Sequence, residues 1–532
     1  MVKHHLPLAC VLLLNLAAAA QNPVSYLNDT GSPAYATTVP VENGFIDMSN
    51  GNLHLEFPLA SAQQRGTLTL SQKLTYDSRI WDLVPYYPGY QWLPNNAGSA
   101  GWKYVSGSSG TLTATFVGSN ATPCYDSNGN YLGEHDTYQF SSTYVDGSGT
   151  SHPTSAGITQ EENWGPGIDD CGGYYFTTTN TPGLSLDGSG YTVGVDGSGN
   201  DYVLDSGGNE VWPRAVDRYG NYLALDSSSP SNMIDSTGRV PVIVTQPSST
   251  VTYYDVLSPT GPISNNGTRV RYIVTTAPVS VTSAFGQPSI YEWSGTLNPV
   301  SSIQLPDGSL YSFSYDSYGE LSSVTLPTGG TISYGYQNFV DAMSTPNRWL
   351  TSRTVGSNPA ETFTQAVTSS CSSSSIGCQQ SVTHHKPSGD ESVYTQTLVN
   401  GAWTTGIAAY AGSASSGTQL TQMTATNLYT KACAYPCATR NYISSSLITT
   451  EILPNGSGAP QYTQVQKTFD SFSGRPLTTK QWDFMSAAST STPPSGTPTR
   501  ETDYSYTGAN PYSLPNDISS IKRSIATETR QA

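Results

Sequence analysis

Charge is what this chain has least of. Of 532 residues only 11% are charged, and 22 Lys and Arg stand against 38 Asp and Glu, for a formal net charge of -16. A chain so short of basic residues has no electrostatic footprint for nucleic acid or for an anionic membrane surface, and neither is expected as a partner. Histidine is also sparse, with 7 in all, and His384-His385 is the adjacent pair beyond the first twenty residues. It belongs to no HExxH motif, which would bring two imidazoles and a general base to one helix face, so a catalytic metal is not expected. The sequence lacks the G-x-S-x-G elbow that exposes a serine nucleophile and the Gly-rich loop with Lys and Ser or Thr that cradles phosphate. No catalytic residue, cofactor or metal ligand is nominated.

Long apolar runs are missing too. Leu6 to Leu16 is shorter than the roughly 20 residues a membrane-spanning helix needs, and no longer run follows, so no transmembrane segment is expected. With Lys3 before that run and Ala18-Ala19-Ala20 after it, residues 1–20 read as a secretory signal peptide cleaved before Gln21. The expected location is therefore secreted or cell-surface. Of 7 cysteines, Cys10 lies in the leader, which leaves Cys124, Cys171, Cys371, Cys378, Cys433 and Cys437. An even number in an exported chain favours disulfides, and proximity in sequence pairs Cys371 with Cys378, Cys433 with Cys437 and Cys124 with Cys171. The alternative, a zinc site from the last four, lacks the usual short-knuckle spacings and suits a reducing compartment better.

What the chain has in excess is Gly (50), Pro (35) and Tyr (35), a composition for short strands and frequent turns rather than long helices. Residues 301–336, SSIQLPDGSLYSFSYDSYGELSSVTLPTGGTISYGY, spell a strand, a Gly turn and a second strand, and then begin again. Tyr311, Phe313 and Tyr315 alternate with serines and so share one face of an extended strand. Asp316 to Gly319 supply a turn, Leu321, Val324 and Leu326 resume the apolar pattern, Pro327 to Gly330 turn again, and Ile332, Tyr334 and Tyr336 repeat the alternation. The unit is roughly 20 residues long, in the range that marks stacked arrays. Degenerate copies occur within residues 191–225, 234–244 and 468–480.

These residues resemble the RHS/YD-repeat family, whose signature runs through Gly, an aromatic stretch ending in Tyr-Asp, two residues, Gly, an apolar pair and Pro-x-Gly. Gly308, Tyr315, Asp316, Gly319, Leu321, Val324, Pro327 and Gly329 fall in register with it. Residues 41–81 resemble the opening segment of such proteins more loosely: Asn50-Gly51-Asn52-Leu53 starts a strand with Leu55, Phe57 and Leu59 on one face, and a second strand ends in Tyr76-Asp77-Ser78-Arg79. The resemblance implies repeats wound into a spiral shell that can enclose a variable C-terminal cargo. Members that release cargo carry an Asp-Pro-x-Gly-type self-cleavage motif after the repeats. This sequence has no Asp-Pro and no distinct C-terminal domain, so it resembles the N-terminal part of such a protein without its cargo or toxin region.

The chain accordingly divides into the leader, 1–20; a β-rich N-terminal region, 21–180, whose less regular part, 82–180, reads as an insertion or cap; the repeat region, 181–345, interrupted by a Val- and Thr-rich insert, 226–300; and a degenerate repeat region, 346–532, expected to be completed by further repeats or a partner surface. Residues 486–500 read as a linker or mobile loop. The expected fold is all-β, an antiparallel sheet wound from short repeat strands after a β-rich N-terminal region.

Three features invite a functional reading. Glu161-Glu162 and Asp169-Asp170 flank Trp164, an arrangement that a secreted glycosidase could use, although adjacent residues of a strand point to opposite faces. Asp-Gly-Ser-Gly runs at 146–149, 187–190 and 196–199, and Asp126 to Asn130, place oxygens in turns as calcium sites do, but none fits the calcium-loop pattern, and a Gly-favoured turn is expected. The tyrosines could stack on sugars, yet at alternating strand positions their expected role is to hold neighbouring strands together. The preferred reading is a secreted, non-enzymatic RHS/YD-repeat protein, a structural shell or interaction module in cell-surface contact, carbohydrate binding or intercellular competition, its partners a carbohydrate or other cell-surface ligand, or the rest of a shell. The alternative is a polysaccharide-active enzyme using the acids near Trp164.

Overall fold

The computed structural model describes residues 37–525 apart from short internal segments, of which 164–174, 258–267 and 507–517 are the longest. Residues 1–20, expected to be a leader, and Trp164, Asp169 and Asp170 lie outside the described residues. What is described is all-β, as composition and alternation imply, and contains no helix.

Most of the chain is one antiparallel meander of 18 strands, from Val242–Ser248 to Ile518–Ile525, in which neighbours in space are neighbours in sequence. One excursion leaves it, between Arg269–Thr276 and Val300–Gln304. The sheet begins inside the stretch that the sequence presents as an interruption, because Val242–Ser248, Val251–Leu257 and Arg269–Thr276 are its first strands. Ahead of it come a five-stranded sheet built from Thr38–Val41, Gly44–Asp47, Leu53–Gln63, Thr69–Asp77 and Trp102–Val105, a four-stranded sheet over residues 111–181, and a seven-stranded sheet ending at Ser229–Asp235.

The turns explain how so many short strands stay in register. Seven connections, starting at Asp126, Asp146, Asp196, Asp205, Asp217, Asp235 and Asp316, share one hydrogen-bond pattern: the first residue's amide donates to the carbonyl four residues on, and the amide of the fourth residue, Gly, donates back to the first carbonyl. That Gly is left-handed in all seven, with φ between +77° and +88° at Gly129, Gly149, Gly199, Gly208, Gly220, Gly238 and Gly319, a conformation that costs other residues about 1–2 kcal/mol. The Asp carboxylate fixes the loop by accepting backbone amides, as at Asp316, whose Oδ1 takes Tyr318 N and Glu320 N at 2.9 Å each. Three further turns have the same backbone pattern but begin Leu305-Pro306, Leu326-Pro327 and Lys386-Pro387. There the proline ring presets the φ of the second position, so a Pro-x-Gly turn replaces an Asp-x-x-Gly turn without changing its shape.

The main core lies between the five-stranded sheet and the large one. Leu53, Leu55, Phe57, Leu74, Tyr76 and Trp102 pack with Tyr254, Val274, Ile303, Phe313, Val324, Ile332 and Trp349. The expected hairpin of the N-terminal region is present, with Leu55 opposite Tyr76 and Phe57 opposite Leu74. Its alternation puts four apolar side chains on the buried face, each 0–3% exposed from Leu53 to Leu59. The excursion carries a smaller core in which Trp81, Trp92, Phe285 and Leu297 are buried.

Residues 486–500 differ from the linker expected of their composition. They cross the face of the large sheet as a strap: Ser489 O accepts from Gln464 Nε2 at 2.5 Å and Thr449 Oγ1 at 3.3 Å, Thr490 O from Thr426 Oγ1 at 3.0 Å, and Gly496 O from Trp482 Nε1 at 3.0 Å. A Ser- and Pro-rich segment without its own ladder is held here by side chains standing up from the strands below.

Candidate functional site

The repeat side chains are used inside the wall. Phe313 is buried and Tyr311 and Tyr315 partly so, packed not along the array but against the N-terminal sheet: Phe57 meets Tyr311 and Phe313 at ring centroids of 5.3 and 5.2 Å, and Trp102 meets Phe313 at 4.8 Å. Trp102 Nε1 donates to Tyr315 Oη at 2.7 Å, and Tyr315 in turn donates to Val300 O. Leu321 is fully buried, its amide donating to Tyr76 Oη at 2.8 Å. Tyr334 is buried beside Ile332, and Tyr336 donates to Leu321 O at 3.2 Å. Gly308, Gly319 and Gly329 are turn residues with φ of +87°, +82° and +84°, and Pro327 opens the turn that ends in Gly329.

Asp316 has a second task. Its Oδ2 accepts from Arg348 Nη2 at 3.1 Å, while Arg348 Nε donates to Glu320 Oε2 at 2.9 Å and the guanidinium lies 3.8 Å above the Tyr318 ring. Glu320 is fully buried, and burial pushes its carboxyl well above the usual range against the pull of Arg348. This cluster also ties the excursion to the wall, since Tyr318 Oη donates to Ala284 O at 2.8 Å.

A second buried polar assembly seats the opening segment. Asn52 Nδ2 and His54 Nδ1 both reach Asp77 Oδ1, at 3.0 and 2.8 Å, and Leu53 N donates to Ser78 Oγ at 2.9 Å. Arg79 Nη1 donates to Asn50 O at 2.9 Å. Burial opposes a charge on His54, but Asp77 and Glu56 outweigh it and raise the imidazole to about 9. Asp47, buried with Ser49 donating to it, is pushed up to about 6. The turn they form docks on the large sheet: Gln380 Nε2 donates to Ser49 O at 3.0 Å, Leu350 N to Gly51 O at 3.2 Å, and Arg353 pairs with Glu42 and Glu361. Gly51 has φ +73° and lies so close to Trp349 that a Cβ would come within 2.6 Å of the indole. Nothing in the local sequence connects Asn50-Gly51-Asn52 with Trp349 or Gln380, so this seat is a product of tertiary packing.

The remaining sequence candidates are dispersed. Glu161 and Glu162 occupy consecutive positions of Ser151–Asn163, opposite Thr137 and Asp136 respectively, and therefore face opposite ways. The Asp-Gly runs at 146–149 and 196–199 are hairpin turns whose carboxylates are taken up by backbone amides, and among the described residues no group of three or more His, Cys, Asp or Glu converges to hold a metal. His384 is buried on Phe363 at a ring separation of 4.8 Å, and His385 Nδ1 lies 2.7 Å from Glu391. Cys124 and Cys378 are disulfide-bonded. Cys171, Cys371 and Cys437, and the side chain of Cys433, lie outside the described residues, and so does the expected pairing.

No protein-family profile matches the sequence, and no curated protein matches it. Among solved structures, one titled "Crystal Structure of TcdB2-TccC3-TEV" is similar over 75% of this chain and 23% of that one, at 11% identity and a TM-score of 0.18.

Proposed function

We propose that this chain is an exported, non-enzymatic module of the RHS/YD-repeat type, a wall of short strands that serves as a shell segment or as an interaction surface, with cell-surface carbohydrate as its ligand class. The observation that carries the reading is the 18-stranded meander, four of whose connections share one turn geometry written two ways, as Asp-x-x-Gly at Asp316 and as Pro-x-Gly after Leu305, Leu326 and Lys386. Its repeat aromatics are spent on the N-terminal sheet rather than presented to a ligand, which supports an architectural role for the repeat itself. The export signal in residues 1–20 and the bonded cysteines Cys124 and Cys378 fit an oxidising compartment.

The test is to apply the purified mature protein, fluorescently labelled, to intact cells and to a panel of immobilised glycans while assaying for released reducing sugar. Saturable retention without turnover is expected. Turnover that disappears in Glu161→Gln or Glu162→Gln would replace this reading with the enzymatic one.

A further inference from the structure

The four-stranded sheet over residues 111–181 has two unlike faces. Pairing places Phe116, Phe140, Ile158 and Asn180 in one row across its strands, Ser119, Tyr138, Gln160 and Thr178 in the next, and Ala121, Asp136, Glu162 and Phe176 in the one after. Every residue in those rows points to the same side, because pairs directly opposite in a sheet share a face and positions two apart do as well. The opposite face carries Thr115, Ser141, Thr137, Gln139 and Thr177 at the intervening positions. Toward one end the aromatic face is covered: Tyr144 packs with Val193 and Val203 of the seven-stranded sheet. Beyond that end the rings continue into solvent, where Phe116 is 54% and Phe176 60% exposed, with Phe116 edge-on to Phe140 at 5.7 Å.

Two phenylalanines left more than half exposed on one face of a sheet are a cost unless something covers them. What surrounds them narrows the choice. Between the rings stand an amide, hydroxyls and carboxylates, namely Gln160, Ser119, Thr178, Asp136 and Glu162, rather than more apolar surface, and Tyr138 Oη lies 3.4 Å from Asp136 Oδ2. Burial raises the Tyr138 phenol, and the nearby charges of Asp136, Glu162 and Glu134 add to that rise, so these acids act on one patch. Residues 111–181 contain no Lys or Arg at all. An anionic ligand would therefore meet uncompensated repulsion here, while a cationic one would meet complementary charge. A protein partner of ordinary kind would call for a continuous apolar centre with basic anchors, which this face lacks. Rings separated by hydrogen-bonding side chains suit the C–H faces and hydroxyls of pyranoses.

We infer that this face, formed by Phe116, Tyr138, Phe140, Glu162 and Phe176, binds a glycan whose sugars carry free amino groups, of the deacetylated-chitin type. The inference deepens the reading of the chain as a carbohydrate-contacting module and rests on it. Rings stack on the sugar faces, Gln160 and Thr178 take hydroxyls, and Glu162, partly exposed beside the buried Asp136, pairs with the ammonium groups.

Titration of the mature protein with chitosan oligosaccharides, with the same oligosaccharides fully N-acetylated and with polylysine of matched charge tests it. At least tenfold tighter binding of the free-amine form than of the acetylated form is expected. Phe140→Ala and Phe176→Ala should each weaken chitosan binding about tenfold. Glu162→Gln should erase most of the preference for free amines while leaving the weak acetylated binding unchanged. Phe176 is 60% exposed, so its replacement should leave the fold intact, with an unchanged circular dichroism spectrum as the check. Equal affinity for the two forms overturns the inference, as does polylysine binding that matches chitosan and survives Phe176→Ala, since attraction of charge alone would then suffice. Glycan binding that is indifferent to all three variants overturns this face but leaves the carbohydrate-contacting reading standing. Absence of binding to any glycan of the panel overturns both.

Discussion

Replacing Arg348 by Met removes the one cation inside the ionic cluster of the repeat wall while keeping an unbranched side chain of similar length over Tyr318. Glu320 would then be fully buried with its Oε2 hydrogen bond lost, and Asp316 would keep only its turn contacts. Removing one partner of a buried pair costs about 3–5 kcal/mol when the other stays charged. Glu320 can escape part of that cost by protonating, and this gives the variant a signature. Burial holds the folded-state carboxyl above its ordinary value of 4.5, and without Arg348 it rises further. The native state therefore binds the proton more tightly than the unfolded chain, so stability is fully present below about pH 4.5 and is lost as pH rises through the folded value, by about 1.4 kcal/mol per pH unit. Urea unfolding of Arg348→Met against wild type should show a deficit of about 3–5 kcal/mol at pH 8 and a smaller one at pH 5.5, where protonation of Glu320 relieves the unpaired charge. Adding Glu320→Gln should flatten the pH dependence of the single variant. A deficit that is the same at both pH values, or one that the double variant leaves sloping, would refute an ionic role for this cluster and reduce Arg348 to packing.

Other consequences are simpler to check. Gly51→Ala introduces a Cβ where φ is positive and the Trp349 indole is 2.6 Å away, and should cost about 2–4 kcal/mol in urea unfolding, with Trp349 fluorescence reporting the loosened seat. Gly308→Ala meets no steric obstacle, so its cost should be that of the left-handed backbone alone, about 1–2 kcal/mol, and Gly308→Asn should cost less. His54, raised to about 9, stabilises the seat fully below about pH 6.5 and loses that contribution as pH climbs through 9, so the stability gap between wild type and His54→Asn should narrow over that interval in denaturation at several pH values. Non-reducing peptide mapping should find Cys124 and Cys378 in disulfides, with Cys171 and Cys371 as their partners, and reduction should lower stability by about 2–4 kcal/mol per bond.

The parts of this fold that depend on neighbouring residues could be read from the sequence, and the parts that depend on distant ones could not. The turns were legible because each is decided by four or five consecutive residues: an Asp whose carboxylate reaches amides two and four residues on, or a Pro that presets φ, followed by a Gly free to be left-handed. Alternation of Tyr311, Phe313 and Tyr315 likewise placed three rings on one face. Which surface that face would meet is not local information. Expected to stack along the array, the rings pack instead across to Phe57 and Trp102, more than two hundred residues away in the chain. The strap at 486–500 was misread for the related reason that Ser, Thr and Pro describe a segment without its own ladder, and its partners, Gln464 and Trp482, belong to strands beneath it.

The same distinction separates the two kinds of aromatic position in this protein and bears on where function can sit. In the wall, repeat rings have polar or aromatic partners that fix them: Tyr315 between Trp102 and Val300, Tyr336 on Leu321, Phe313 against Phe57. Those rings are constrained on several sides, and a substitution there would be read out as stability. On the four-stranded sheet, the alternation that elsewhere buries a face runs on past the cover provided by Val193 and Val203, and Phe116 and Phe176 are left more than half exposed. A strand pattern does not distinguish the two cases, because in both an aromatic residue stands among Ser and Thr on a strand. The difference lies in what stands across from them, a second sheet in one case and open solvent ringed by acids in the other. Substitutions at Phe116 and Phe176 should therefore leave stability within about 0.5 kcal/mol of wild type, whereas Phe313→Ala, which opens a cavity in the main core, should cost about 3–5 kcal/mol. If Phe176→Ala destabilised the protein as much as Phe313→Ala does, the exposed rings would belong to the core after all, and the assignment of that face to a ligand would lose its basis.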